Sequence, residues 1–129
     1  MTSPVWIEAL VVIAIHSRQL EQHGGSEGIR DEGLLESALF RPKNQFNYGN
    51  PTIFDLAAAY GYGLTNNHPF IDGNKRTSYI VMRTFLRLNG YNLQASAIDK
   101  YETWIRLANN QINEAELASW IEEKSVKIK

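Results

Sequence analysis

Hydrophobic positions recur at helical spacing in six separate stretches of this chain, the mark of amphipathic helices rather than strands. The first predicted helix runs from about Pro4, a favoured first-turn residue, to about Gln22. Trp6, Leu10, Ile13 and Leu20, with Ile7, Val11 and Ala14, form its apolar face. Gly24-Gly25 stops it, and Ser26 to Arg30 reads as loop. Asp31 caps a short helix through Phe40 that turns Leu34, Leu35, Ala38 and Leu39 inward. Arg41 to Gly49 carries Pro42, Asn44, Asn47, Tyr48 and Gly49, which is loop or hairpin chemistry.

Asn50-Pro51 then reads as a cap and first-turn proline opening a helix to about Asn66. Gly61 and Gly63 in its interior each cost about 1 kcal/mol relative to alanine, so another helix should pass close by. Thr77 to Asn89 is apolar on more than one face, with Tyr79, Ile80, Val81, Met82, Phe85, Leu86 and Leu88, as a central helix is. Gly90 ends it. Ser96 with Asp99 opens the next helix, carrying Tyr101, Trp104, Ile105 and Leu107. Asn113 with Glu116 caps the last, which buries Leu117, Trp120 and Ile121. The expected fold is all-α, six helices around a central one, with little or no strand and at most a short hairpin near residues 41–50.

Between the third and fourth predicted helices lies His68-Pro69-Phe70-Ile71-Asp72-Gly73-Asn74-Lys75-Arg76-Thr77. A loop feeding a helix N-terminus binds anions, because unpaired N–H groups and the helix dipole both face it. His68 precedes a proline and should therefore be extended. A lone loop histidine is ordinarily just solvated, but one held beside an anion site is placed to act as a general base. Asp72 has two compatible roles, capping the following helix or holding magnesium alongside substrate phosphates. Gly73 and Asn74 suit a turn with positive φ. Lys75 and Arg76 oppose the helix dipole by roughly 0.3–1 kcal/mol each unless an anion is present. Phe70 and Ile71 should pin the loop to the core. Arg83 and Arg87 read as a solvated stripe, and His16 and His23 as structural or surface residues.

Composition narrows the options. At 129 residues, 43% hydrophobic and 21% charged, the chain is expected to form one domain, 1–129. The 14 acidic and 13 basic side chains leave a net charge of −1, which gives no general attraction for nucleic acid. There is no cysteine, so disulfides and thiolate-held metals are excluded. The longest strongly apolar run, Ala9 to Ile15, is far short of the roughly 20 residues that span a bilayer. A cytoplasmic protein is expected, with no membrane partner and a frayed tail over 125–129. His-Glu-x-x-His, the phosphate loop Gly-x-x-x-x-Gly-Lys-Ser/Thr and the Gly-x-Ser-x-Gly elbow are all missing.

His68 to Arg76 resembles the His-Pro-Phe-x-Asp/Glu-Gly-Asn-Gly-Arg signature of Fic-domain proteins. It is most similar to the Doc (death-on-curing) branch, in which lysine follows the asparagine and Arg-Thr comes next. Gly24-Gly25, Gly28-Ile29-Arg30-Asp31, Leu34 to Ala38 and Leu88-Asn89-Gly90-Tyr91 extend the likeness over about residues 5 to 125. The resemblance implies a six-helix fold that moves part of ATP onto a protein hydroxyl. His68 would be the base, Asp72 the Mg2+ ligand, and Gly73 and Asn74 the anion nest. Lys75 and Arg76 would clamp phosphates, and Phe70 would be the buried anchor. Arg41 to Asn50, with Asn44, Gln45, Phe46 and Asn47 at its centre, resembles the flap that aligns the target by backbone pairing.

Lys75 stands where AMP-transferring members have a glycine against the α-phosphate, and Tyr79 where many of them have a second arginine. The Doc branch shares both differences, which implies transfer of the γ-phosphoryl group to a translation factor, elongation factor Tu in the branch's prototype. The self-restraining Ser/Thr-x-x-x-Glu-Gly/Asn helix is missing, so a separate antitoxin is the implied partner. The alternatives are an AMP-transferase and a catalytically silent protein-binding module.

Overall fold

The computed structural model describes residues 3–128. Among them the chain forms α1 (Ala9–His23), α2 (Glu32–Tyr48), α3 (Ile53–Asn67), α4 (Asn74–Leu88), β1 (Tyr91–Leu93), α5 (Ala97–Ala108), α6 (Glu114–Lys124) and β2 (Ser125–Lys127). The all-α reading holds.

Local chemistry accounts for most boundaries. Asp31 caps α2 by accepting from the Leu34 N–H. Ser96 does the same for α5 with the Asp99 N–H, and Asn113 with Glu116 forms a reciprocal capping box at α6. At α3 the cap is Thr52, boxed with Asp55, so Pro51 precedes the helix instead of occupying its first turn. Packing places α3 at the centre of the domain, against α2, α4, α5 and α6, in place of the Thr77 to Asn89 helix expected there. Leu56 through Gly61 along it are all buried. A methyl at Gly61 would come within 3.0 Å of the Trp104 ring in α5, and one at Gly63 within 3.4 Å of the Ala38 backbone in α2. The close helix approach expected from these glycines is present on both sides. The motif-bearing helix α4 packs against α1, α3 and β1, burying Thr77, Ser78, Val81, Met82, Phe85 and Leu86.

The hairpin expected near residues 41–50 is helix. α2 continues without a break through Pro42 to Tyr48. Leu35, Leu39, Pro42 and Phe46 recur at helical spacing, and Phe46 meets Trp6 edge-on at 5.6 Å between ring centres. Glu114 of α6 accepts from both Arg41 and Gln45. These contacts offset the roughly 3 kcal/mol that proline costs inside a helix, so the turn-forming residues here are overruled by packing.

Three smaller expectations also fail. The helix α1 begins at Ala9, not Pro4, and its buried face is Val12, His16 and Gln19. Leu10 and Val11, read as inward, are 81% and 44% exposed; the helix is turned so that Val12 and His16 face inward, and His16 reaches the Asp72 carbonyl in the loop between α3 and α4. The tail is not frayed over 125–127. It pairs antiparallel with β1, Tyr91 opposite Lys127 and Leu93 opposite Ser125, and the Ile128 N–H donates to the Gly90 carbonyl at 2.8 Å. Lys129 lies outside the described residues.

Candidate active site

The loop from His68 to Gly73 is held from three directions. From within, the Asn74 Oδ1 accepts from the Phe70 N–H and its Nδ2 donates to the Phe70 carbonyl, both at 2.9 Å. From below, Phe70, only 1% exposed, stacks on the His16 ring at 3.8 Å and 8°. His16 Nε2–H also donates to the Asp72 carbonyl at 2.7 Å. From the side, the segment before α2 pairs with the loop. Arg30 and Asp31 N–H groups both donate to the Pro69 carbonyl, and Ile71 N–H donates to the Gly28 carbonyl, around a bridge between Ile29 and Phe70. Phe70 is thus the expected anchor. Ile71 is not, being 48% exposed at the rim.

His68 is not extended. It ends α3 in the left-handed region, φ 51° and ψ 55°, uncommon for a residue other than glycine. Arg30 compensates by donating to the carbonyls of His68 at 2.7 Å and Asn67 at 2.9 Å, a cation on the negative end of α3. The His68 ring is exposed, with Nδ1 3.2 Å from Asn74 Nδ2. The Phe70 backbone fixes which end of the Asn74 amide carries hydrogens, so Nδ1 is the acceptor. The proton of the neutral ring then lies on Nε2.

Asp72 does not cap α4. Its Oδ2 accepts from the Ser26 N–H at 2.8 Å, and the cap position belongs to Gly73, φ 79°, with no side-chain cap bond. A methyl at Gly73 would sit 3.6 Å from the His16 ring, so the positive φ, not the space, selects glycine there. Asn74 is already the first helical residue, buried, instead of a second turn residue. With no side chain over its end, α4 presents unpaired N–H donors at its start.

A cavity of about 580 Å³ opens at this end, lined by His68, by the motif from Ile71 to Arg76, by Tyr79, and by Lys100, Tyr101, Trp104 and Ile105 of α5. Its size falls within the roughly 300–1,000 Å³ of small-molecule sites. Lys75, Arg76 and Lys100 all line it, and none forms an ion pair among the described residues. Asp72 is the one carboxylate in its lining. With one oxygen engaged by Ser26 and the other open, Asp72 suits magnesium, which takes one or two carboxylates and leaves its other positions to phosphate and water. Among the described residues no cluster of three or more His, Cys, Asp or Glu offers an all-protein metal cage.

The expected flap residues stand elsewhere. Asn44 and Gln45 line a different cavity, at the end of α2 and the start of α6, that shares no residue with the first. Phe46 packs on Trp6, and Asn47 is on the last turn of α2. The N–H groups there are bonded within the helix, and the backbone does not present the extended edge that pairing with a target strand needs. Arg83 is not purely solvated, lying 5.8 Å over the Tyr79 ring, whereas Arg87 is exposed. Three residues are not connected to the motif in the sequence: His16, read as structural or surface, Arg30, read within the Gly28 to Asp31 run, and Lys100, given no role. Each reaches the motif or its cavity from another helix or loop.

Comparison with known proteins places the chain in a family. The profile of the Fic/DOC family matches residues 6–86. Toxin Doc of Mycolicibacterium smegmatis is 44% identical over 75 residues, 56% of this chain and 57% of that protein. Protein adenylyltransferase Fic of Drosophila ananassae is 43% identical over 85 residues, 64% of this chain but only 17% of the fly protein. The chain thus spans little more than half the length of the first relative and far less of the second. The N-terminal Fic domain of a Bartonella quintana effector, solved with bound ADP, superposes with a TM-score of 0.52 at 19% identity, covering 76% of this chain and 48% of that one. With the family profile covering more than half of its length, this chain belongs to the Fic/DOC family.

Proposed function

We propose that this protein is a toxin that transfers the γ-phosphoryl group of ATP to a Ser or Thr hydroxyl of a translation factor, restrained by a separate antitoxin protein. The observation that carries the reading is one cavity lined by His68, Asp72, an uncapped helix N-terminus and three cations that form no ion pair among the described residues. Phosphoryl transfer asks little covalent chemistry of a protein; it asks for positioning and for positive charge around the phosphates.

In this reading the triphosphate lies across the start of α4, against the free N–H groups, Lys75, Arg76 and Lys100. Asp72 would hold magnesium, whose charge, when bound, draws electron density from the phosphates. The target hydroxyl oxygen forms a bond to the γ-phosphorus as the bond from that phosphorus to the β,γ-bridging oxygen breaks, and ADP leaves. The hydroxyl proton passes to His68. Because Nδ1 faces Asn74, base action requires the exposed ring to turn, or the target to displace a 3.2 Å contact. Asn74 keeps its 2.9 Å bonds to Phe70 either way, so the change is a small one. The segment Gly24 to Arg30, which already pairs with the motif loop, takes over the target-aligning role first expected of residues 41–50.

Transfer of AMP is the second reading, supported by the likeness to an adenylyltransferase. Against it stands Lys75, whose side chain lines the cavity where AMP-transferring relatives have room for the α-phosphate. Induced expression of the wild-type chain should arrest growth, and His68→Ala should relieve the arrest while ATP affinity stays within about two-fold. A His68→Ala protein that remains fully toxic overturns the assignment of the base.

A further inference from the structure

Behind the cavity, three helices meet at one hydroxyl. Ser78 of α4 is fully buried. Its Oγ–H donates to the Lys75 carbonyl at 2.9 Å, so both lone pairs remain to accept. One accepts from the Trp104 Nε1–H of α5 at 2.8 Å. The other accepts from the Thr65 hydroxyl of α3, also at 2.8 Å. Every hydrogen-bonding position of Ser78 is therefore in use, with Thr65 necessarily the donor in its pair.

Two of the three partners belong to the cavity. Lys75 supplies a cation to it, and Trp104 supplies part of its wall. Trp104 is confined further by Tyr79, edge-on at 5.2 Å and 86°, and by Gly61, which leaves room for the ring and nothing larger. Thr65 does not line the cavity. The hydroxyl thus ties the aromatic wall on α5 to the cationic turn of α4, and an unpaired indole N–H would be the penalty for removing it.

We propose that Ser78 is a positioning residue for nucleotide binding, fixing the Trp104 wall relative to the Lys75–Arg76 turn so that the cavity is shaped before ATP enters. This deepens the reading of the cavity as an ATP site and rests on it. A merely structural hydroxyl would affect stability alone, as Thr65 should.

The test compares Ser78→Ala, Trp104→Phe and Thr65→Val by calorimetric titration with Mg-ATP, each well below its melting temperature. Ser78→Ala and Trp104→Phe should each weaken ATP binding about five-fold or more, and the double variant should be no weaker than either single by more than about two-fold, since both cut one link. Thr65→Val should lower the melting temperature and keep ATP affinity within about two-fold. Wild-type affinity in Ser78→Ala, or equal losses in Thr65→Val, overturns the proposal. If Ser78→Ala does not fold, wild-type affinity in Trp104→Phe does so. Solvent exchange of the Trp104 indole N–H is a readout without ligand: it should be slow in the wild type and accelerate in Ser78→Ala. If the wild type binds no ATP, the nucleotide reading fails, and unchanged indole exchange in Ser78→Ala separately refutes the positioning role.

Discussion

The Asn74 amide serves three partners at once, the Phe70 N–H, the Phe70 carbonyl and His68 Nδ1. Its orientation is dictated by backbone, and it in turn dictates the tautomer of His68. The neutral ring should carry its proton on Nε2, which nitrogen-15 chemical shifts of labelled histidine report directly; a dominant Nδ1–H form would contradict the geometry. Asn74→Ala leaves two buried backbone groups without partners and should cost about 1–3 kcal/mol of stability by denaturant unfolding. Lys100 is a sharper case, because it lies outside the motif on α5 and makes no ion pair among the described residues. Lys100→Ala should weaken ATP binding about three- to ten-fold, as expected for losing one partly solvated charge-assisted contact. An exposed lysine remote from the cavity, Lys127 on β2, should tolerate the same change with no loss.

At the level of elements, helix spacing is decided by single small residues. Gly61→Ala would gain about 1 kcal/mol of helix propensity, but its methyl would press on Trp104 at 3.0 Å. That ring is held by Ser78 and Tyr79, so moving it disturbs a buried hydrogen bond, and overpacking of about 1–3 kcal/mol should win. Thermal melting should show a net loss; a net gain would mean that α5 moves freely. The helices themselves were legible in the sequence wherever caps and periodicity agreed, as at Asp31, Ser96 and Asn113. They were misread where local chemistry and tertiary packing disagreed. Pro42, Asn44 and Asn47 are turn residues by themselves, and nothing nearby announces that Trp6 and Glu114 will hold them in a helix. The site was legible for the same reason in reverse: its chemistry is concentrated between His68 and Arg76. Its supports were not, because His16 and Arg30 lie 56 and 38 residues from their partners Asp72 and His68.

For the whole molecule, charge and burial set the working limits. A chain of net charge −1 gathers three cations at one cavity, so its attraction for anions is local, and salt should weaken ATP binding without altering the fold. Among the described residues no helix is long and apolar enough to cross a membrane. Stability at high pH should depend on Tyr60. This residue is fully buried, and its hydroxyl accepts from the Ile7 N–H at 2.9 Å. Burial pushes its pKa from 10.0 up to about 12. The folded state therefore binds the phenol proton more tightly than the unfolded state does. That advantage is complete below pH 10 and is lost as pH rises towards 12. Tyr60→Phe should remove this alkaline step while lowering stability at neutral pH, since the Ile7 backbone loses its partner; an unchanged alkaline limb would place the step on another group.

The central claim is that the group leaving ATP is its terminal phosphate and that the acceptor is a protein. Incubation of the protein with cell extract and ATP labelled at either the α or the γ position separates the outcomes in one gel. Label from the γ position should appear on a protein band and vanish with His68→Ala. Label transferred from the α position instead would contradict phosphoryl transfer and establish AMP transfer by the same residues.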